Sequence, residues 1–95
     1  MPAYTASQAK SRMTSVPLWT RRGKSIRRQY VLPGFPASIA FVRKVAVIAE
    51  KRDHHPDIDI RWNKVHLVLT THDSGGLTVL DLALAAAIDR MRPLR

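Results

Sequence analysis

Four histidines, at positions 54, 55, 66 and 72, are the side chains best suited to moving protons near neutral pH, because an unperturbed imidazole titrates close to that range. His54 and His55 stand side by side before Pro56, and His72 lies between Thr71 and Asp73. Glu50 precedes His54 by four residues. A helix reaching that far puts the two on one face, where a carboxylate orients an imidazole or raises its pKa. An exposed ion pair without further role fits the same spacing, and adjacent histidines alone are often idle surface residues. Zinc is a further alternative, since neutral imidazole is a common ligand. Against it, the spacing matches none of the usual zinc patterns, and a chain corner at Pro56 points the two rings apart. The chain has no cysteine, which excludes thiol catalysis, disulfides and cysteine-ligated metals.

The elements that must hold these residues are legible from periodicity. Residues 6–14 read as a short helix after a loose tail over 1–5, and the whole segment 1–15 is poorly defined by pattern. Residues 17–22 and 24–32 read as a hairpin around Gly23, with Ile26, Arg28 and Tyr30 alternating against Arg27, Gln29 and Val31. Pro33-Gly34 breaks the chain, and Pro36 suits the first turn of a helix over 36–53. Its apolar stripe is read as Ile39, Val42, Val45, Ala46 and Ala49. Proline disfavours helical backbone at the residue before it, so the chain turns extended at His55-Pro56. A second hairpin follows over 58–62 and 64–71, around Asn63. His66 lies mid-strand among apolar residues and reads as structural. After a loop over 72–77, Thr78 and Asp81 resemble the capping box of a helix running from 79 to about 92. That helix is apolar around most of its circumference, which predicts burial against a second subunit. His54, His55 and His72 therefore fall at element ends, where rigid neighbours hold a side chain that solvent still reaches. The order helix, two strands, helix, two strands, helix predicts an α+β fold with helices packed on one face of a four-stranded antiparallel sheet.

Composition narrows the class. With 95 residues, 45% hydrophobic and 24% charged, the chain is expected to be one globular domain over 1–95 rather than disordered. The longest apolar run, Leu82 to Ile88, is too short to span a bilayer, and no secretory h-region precedes it. A cytoplasmic location is expected. The net charge of +9 is concentrated early: the first 33 residues hold seven basic groups, Lys10, Arg12, Arg21, Arg22, Lys24, Arg27 and Arg28, and no acidic one. Such a run fits an anionic or nucleic-acid partner, or an organelle transit peptide. A solvated basic face explains it more simply, and nucleic acid is not expected as a partner.

The segment Ala49-Glu50-Lys51-Arg52-Asp53-His54-His55-Pro56 resembles the signature of the pterin-4a-carbinolamine dehydratases. The resemblance continues through Trp62-Asn63-Lys64-Val65, Thr70-Thr71-His72-Asp73, Gly76-Leu77-Thr78 and Asp81, with earlier matches at Trp19, Gly23, Phe35 and Phe41. It departs at Ile58, where many members carry an aromatic residue, and at Trp62, where tyrosine is more usual. The N-terminal helix is shorter and more polar, which bears on the tetramer contacts of some relatives. The resemblance implies a helix-backed four-stranded sheet that removes water from 4a-hydroxytetrahydropterin to give quinonoid dihydropterin, with no cofactor and no metal. It implies His54 and His72 as the acid–base pair and His55 as a positioning group. Asp53, Thr70, Thr71 and Asp73 match positions lining the substrate site, and Glu50 and Asp81 match supporting positions. For Asp81 a capping role is an equal reading. The family implies a homodimer or homotetramer, and some relatives act as dimerisation partners of transcription factors, so a non-catalytic pterin-binding or protein-partner module is the alternative.

Overall fold

A computed structural model describes residues 2–91. The elements are α1 (Ala6–Arg12), β1 (Thr20–Arg22), β2 (Ser25–Val31), α2 (Phe35–Arg52), β3 (Asp57–Arg61), β4 (Lys64–Leu69) and α3 (Val79–Arg90), with short 3-10 turns at Met13–Ser15 and His72–Ser74. This is the expected α-β-β-α-β-β-α order. The last residue expected in α3, at position 92, lies outside the described residues.

The four strands form one antiparallel sheet in the order β1-β2-β4-β3. Register follows the period of two. Ile26 pairs with Leu69, Arg28 with Leu67 and Tyr30 with Val65, so these residues share the face that the helices cover. Ile26, Val65, Leu67 and Leu69 are wholly buried there, each contributing about 1.5–3 kcal/mol by leaving water. The opposite parity, with Arg27, Gln29, Lys64 and His66, forms the open face. His66 sits between Gln29 and Asp59 on that polar side, rather than among apolar residues as its neighbours in sequence suggest.

Two expectations shift in detail. The buried stripe of α2 is Ser38, Phe41, Val45 and Ala49, flanked by Val42 and Ile48. Ile39 and Ala46 face outward, because the stripe drifts with a period of four from Phe41. The second hairpin turns at Trp62 as well as Asn63: Trp62 holds a left-handed φ of 54°. Asn63 is bound to the end of β2, with Leu32 N–H donating to its carbonyl at 2.7 Å and its side-chain amide donating back to Leu32 O at 3.3 Å. That clamp leaves the reversal to be made at Trp62.

The amino-terminal residues are tied down. Tyr4 N–H donates to Leu77 O at 2.7 Å, and Thr5 with Gln8 closes a capping box on α1. On α3, Leu82, Leu84, Ala85, Ala87 and Ile88 are buried within the chain, while Val79 and Leu80 are exposed.

Candidate active site

The site is built at the C-terminal end of α2, the loop after β4 and the first turn of α3. Helix α2 ends in a left-handed residue, Asp53, at φ 50°. Its N–H bonds Glu50 O at 3.2 Å, and the next N–H, of His54, reaches back to Ala49 O at 3.1 Å. These paired reverse bonds are the Schellman arrangement, with aspartate where glycine is commoner. The reversal turns His54 inward, toward α3, instead of leaving it on the helical face.

There His54 Nε2 lies 2.6 Å from Asp81 Oδ1. Asp81 is wholly buried. Its second oxygen, Oδ2, accepts from Thr71 Oγ1 at 2.8 Å and from Thr78 N–H at 2.9 Å. A carboxylate only accepts, so Nε2 of His54 carries the hydrogen. Thr71 spends its proton on Asp81, so the 2.9 Å contact between Thr71 Oγ1 and Thr78 Oγ1 is donated by Thr78. Both Asp81 oxygens and both threonine hydroxyls of this buried chain are thereby matched, as burial demands. Asp81 thus caps α3 and holds His54 at once.

The same chain reaches His72. Thr71 and Gly76 exchange backbone bonds, Thr71 N to Gly76 O at 3.1 Å and Gly76 N to Thr71 O at 3.3 Å. This pinches residues 72–75 into a closed loop, with Gly75 in left-handed conformation at φ 73°. His72 and Asp73 stand exposed on that loop. His72 lines a cleft of about 330 Å³ with Lys24, Ser25, Thr70, Gly75 and Gly76. Thr70 Oγ1 donates to Lys24 O at 2.5 Å, which fastens the end of β4 to the β1–β2 turn.

Not every expected member joins this group. His54 and His55 do not line the His72 cleft. Glu50 pairs with His55, not with His54: His55 Nε2 lies 2.9 Å from Glu50 Oε1, both exposed. The expected Glu50–His54 face needs four helical residues in succession, and the left-handed Asp53 interrupts them. His55 then falls back over the last turn of α2 in His54's place.

A second polar cluster had no signal in the linear sequence. Asp89 on α3 accepts from Trp19 Nε1 at 3.0 and 3.1 Å, Arg28 at 2.8 Å and Tyr30 Oη at 2.6 Å. The Arg28 guanidinium also stacks 4.2 Å above the Tyr30 ring. Burial, then the Asp89 carboxylate, hold the Tyr30 phenol far above its ordinary value, so Tyr30 remains a donor. The three donors lie 59 to 70 positions from Asp89 in sequence, beyond any local motif. This cluster anchors α3 to the first hairpin.

A helix-backed, four-stranded antiparallel sheet with a buried His–Asp–Thr chain at one end defines a small α+β protein. The family model for pterin 4 alpha carbinolamine dehydratase matches residues 2–91. A Roseiflexus protein bearing a provisional pterin-4-alpha-carbinolamine dehydratase name is 53% identical over 85 residues, covering 90% of this chain and 91% of that one. A similarly named Chloroflexus aurantiacus protein is 50% identical over 91 residues, covering 96% and 98%. Among solved structures, a Brucella melitensis protein described as a transcriptional coactivator/pterin dehydratase superposes with a TM-score of 0.88 at 27% identity, covering 94% of this chain and 97% of that one. A pterin dehydratase-like RuBisCO assembly factor of the alpha-carboxysome superposes with a TM-score of 0.64 at 19% identity, covering 77% and 84%, and shares the fold. The chain belongs to the pterin-4a-carbinolamine dehydratase family.

Proposed function

We propose that this protein dehydrates a pterin-4a-carbinolamine to quinonoid dihydropterin and water, as a step in tetrahydropterin recycling of the tetrahydrobiopterin type. The observation that carries the proposal is the hydrogen-bonded chain His54–Asp81–Thr71, which ties one imidazole to the residue immediately before a second. The reaction breaks the C4a–O bond, adds a proton to the departing hydroxyl and removes the proton on N5. One proton enters and one leaves, so no electron acceptor is needed.

His54 and His72 form the acid–base pair in this reading. Asp81 orients His54 by fixing the hydrogen on Nε2, which assigns proton exchange to Nδ1. Exposed His72 meets substrate from the loop. His55, steadied by Glu50, positions the ring, and Asp53, Thr70, Thr71 and Asp73 line the substrate site. The unit acts as one domain in the cytoplasm, as a homodimer or homotetramer. Among the described residues no helix is long and apolar enough to cross a membrane.

The second reading is a non-catalytic pterin-binding or protein-partner module. It is favoured by the coactivator and assembly-factor descriptions of the structural neighbours and by the basic first third of the chain. A stopped-flow dehydration assay on chemically generated 4a-hydroxytetrahydropterin separates the two. The dehydratase reading expects a wild-type rate well above the spontaneous one, lost in His54→Ala and His72→Ala. No acceleration by wild-type protein moves the function to the second reading.

A further inference from the structure

The cleft at His72 does not stand alone. A neighbouring cleft of about 410 Å³ runs beside residues 3–6 toward Arg21, and Lys24, Gly75 and Gly76 line both. Together they exceed the low end of the range of small-molecule sites, about 300 Å³. Gly76 is the ridge between them. A Cβ there would lie 3.3 Å from Ala3 Cβ and 3.8 Å from Lys24 Cγ, so the stem of Lys24 runs along the ridge and the amino-terminal segment walls the far side. The Tyr4–Leu77 backbone bond holds that wall in place.

The charge of the double cleft is one-sided. Arg21 and Lys24 line it, and among the described residues no aspartate or glutamate does. Lys24 is exposed, and the described residues give its ammonium no hydrogen-bond or ion-pair partner. Arg21 donates to Gly23 O at 2.9 Å, which steadies a guanidinium with further donors to spare. A pterin ring worked on at His72 would have this cationic cleft beside it.

We propose that the second cleft is a subsite for an anionic pterin side chain, with Lys24 as its principal contact and Arg21 as its second. The substrate class is then a pterin-4a-carbinolamine whose substituent ends in a phosphate or carboxylate. This rests on the dehydratase reading for its placement at His72, but it is tested separately from it.

The test compares three carbinolamines that differ only in the end of the side chain: neutral hydroxyl, phosphate ester and carboxylate. KM is measured for each with wild type, Lys24→Gln and Lys24→Arg. Wild type is expected to favour at least one anionic substrate in KM by about 2- to 5-fold, the scale of an exposed charge-assisted contact. The preference falls toward one in Lys24→Gln, persists in Lys24→Arg and shrinks with added salt. The phosphate and carboxylate arms identify the group. Because the readout is a ratio between substrates, a general loss of activity does not imitate it. Equal KM values in wild type, or a preference surviving Lys24→Gln, overturns the subsite. If no substrate is turned over, the dehydratase reading fails, and equilibrium binding of the matching unreactive dihydropterins by fluorescence decides the subsite on the same ratio.

Discussion

His54 Nε2 and Asp81 Oδ1 meet at 2.6 Å across 27 residues of sequence, joining the end of α2 to the first turn of α3. The contact is buried on the histidine side and wholly so on the aspartate side. A carboxylate in that position must be compensated by donors, and His54, Thr71 and Thr78 supply them.

Removing Asp81 therefore costs more than a helix cap. Asp81→Ala leaves three donors unmatched in the interior, and the expected destabilisation is about 3 kcal/mol, above the ~1 kcal/mol of a lost cap alone. Urea unfolding measures it. A loss below 1 kcal/mol shows that the chain is not acting as one unit.

The two histidines of the proposed pair should separate in stability. His54→Ala strips a partner from a buried carboxylate and is expected to cost about 2 kcal/mol. His72→Ala removes an exposed side chain and stays within about 0.5 kcal/mol of wild type. Thermal melts of both variants accompany the rate assay, so that a lost rate in His72→Ala is assigned to chemistry rather than unfolding.

Asp53 offers a way to divide backbone from side chain. Its φ of 50° suits glycine, so Asp53→Gly retains or slightly raises stability, whereas Asp53→Val loses about 1–2 kcal/mol to left-handed strain. If the Asp53 carboxylate touches the pterin, Asp53→Gly raises KM while its melting curve stays put. Unchanged KM removes Asp53 from the substrate site.

Alkaline pH should weaken the fold through Tyr30. Its folded pKa is raised above the ordinary 10.0, by burial first and by Asp89 second. The raised value means that its contribution is fully present below pH 10.0. As pH rises further the unfolded chain releases the proton and the folded chain does not, so stability falls with pH above that point. Tyr30→Phe flattens this alkaline limb while lowering stability at neutral pH. An alkaline slope identical in the variant excludes Tyr30 as its source.

The sheet, the helices and their order were legible because alternation and helical spacing are local consequences of burial. The Thr78–Asp81 capping box was equally local. What pattern missed was set by geometry between elements. The Glu50 partner changed from His54 to His55 because one left-handed residue, Asp53, ended the helix before its face could continue. The Asp89 cluster lay beyond reach because its donors come from β2 and the residue just before β1, and its acceptor from α3. Lys24 was counted only as one charge in a basic run, and folding brings it to the edge of the His72 cleft. For the site residues themselves the family resemblance carried most of the information, since adjacent histidines mean little until a carboxylate is known to receive one of them.

The pairing of Trp19 with Asp89 also makes the protein its own spectroscopic reporter. Of the two tryptophans, Trp19 is buried with its indole N–H on a carboxylate of α3, and Trp62 is 67% exposed on a hairpin tip. Native emission is thus a sum of one shielded and one wet fluorophore. Replacing Trp62 with phenylalanine leaves a single indole whose spectrum follows the docking of α3 onto the first hairpin, without any added label.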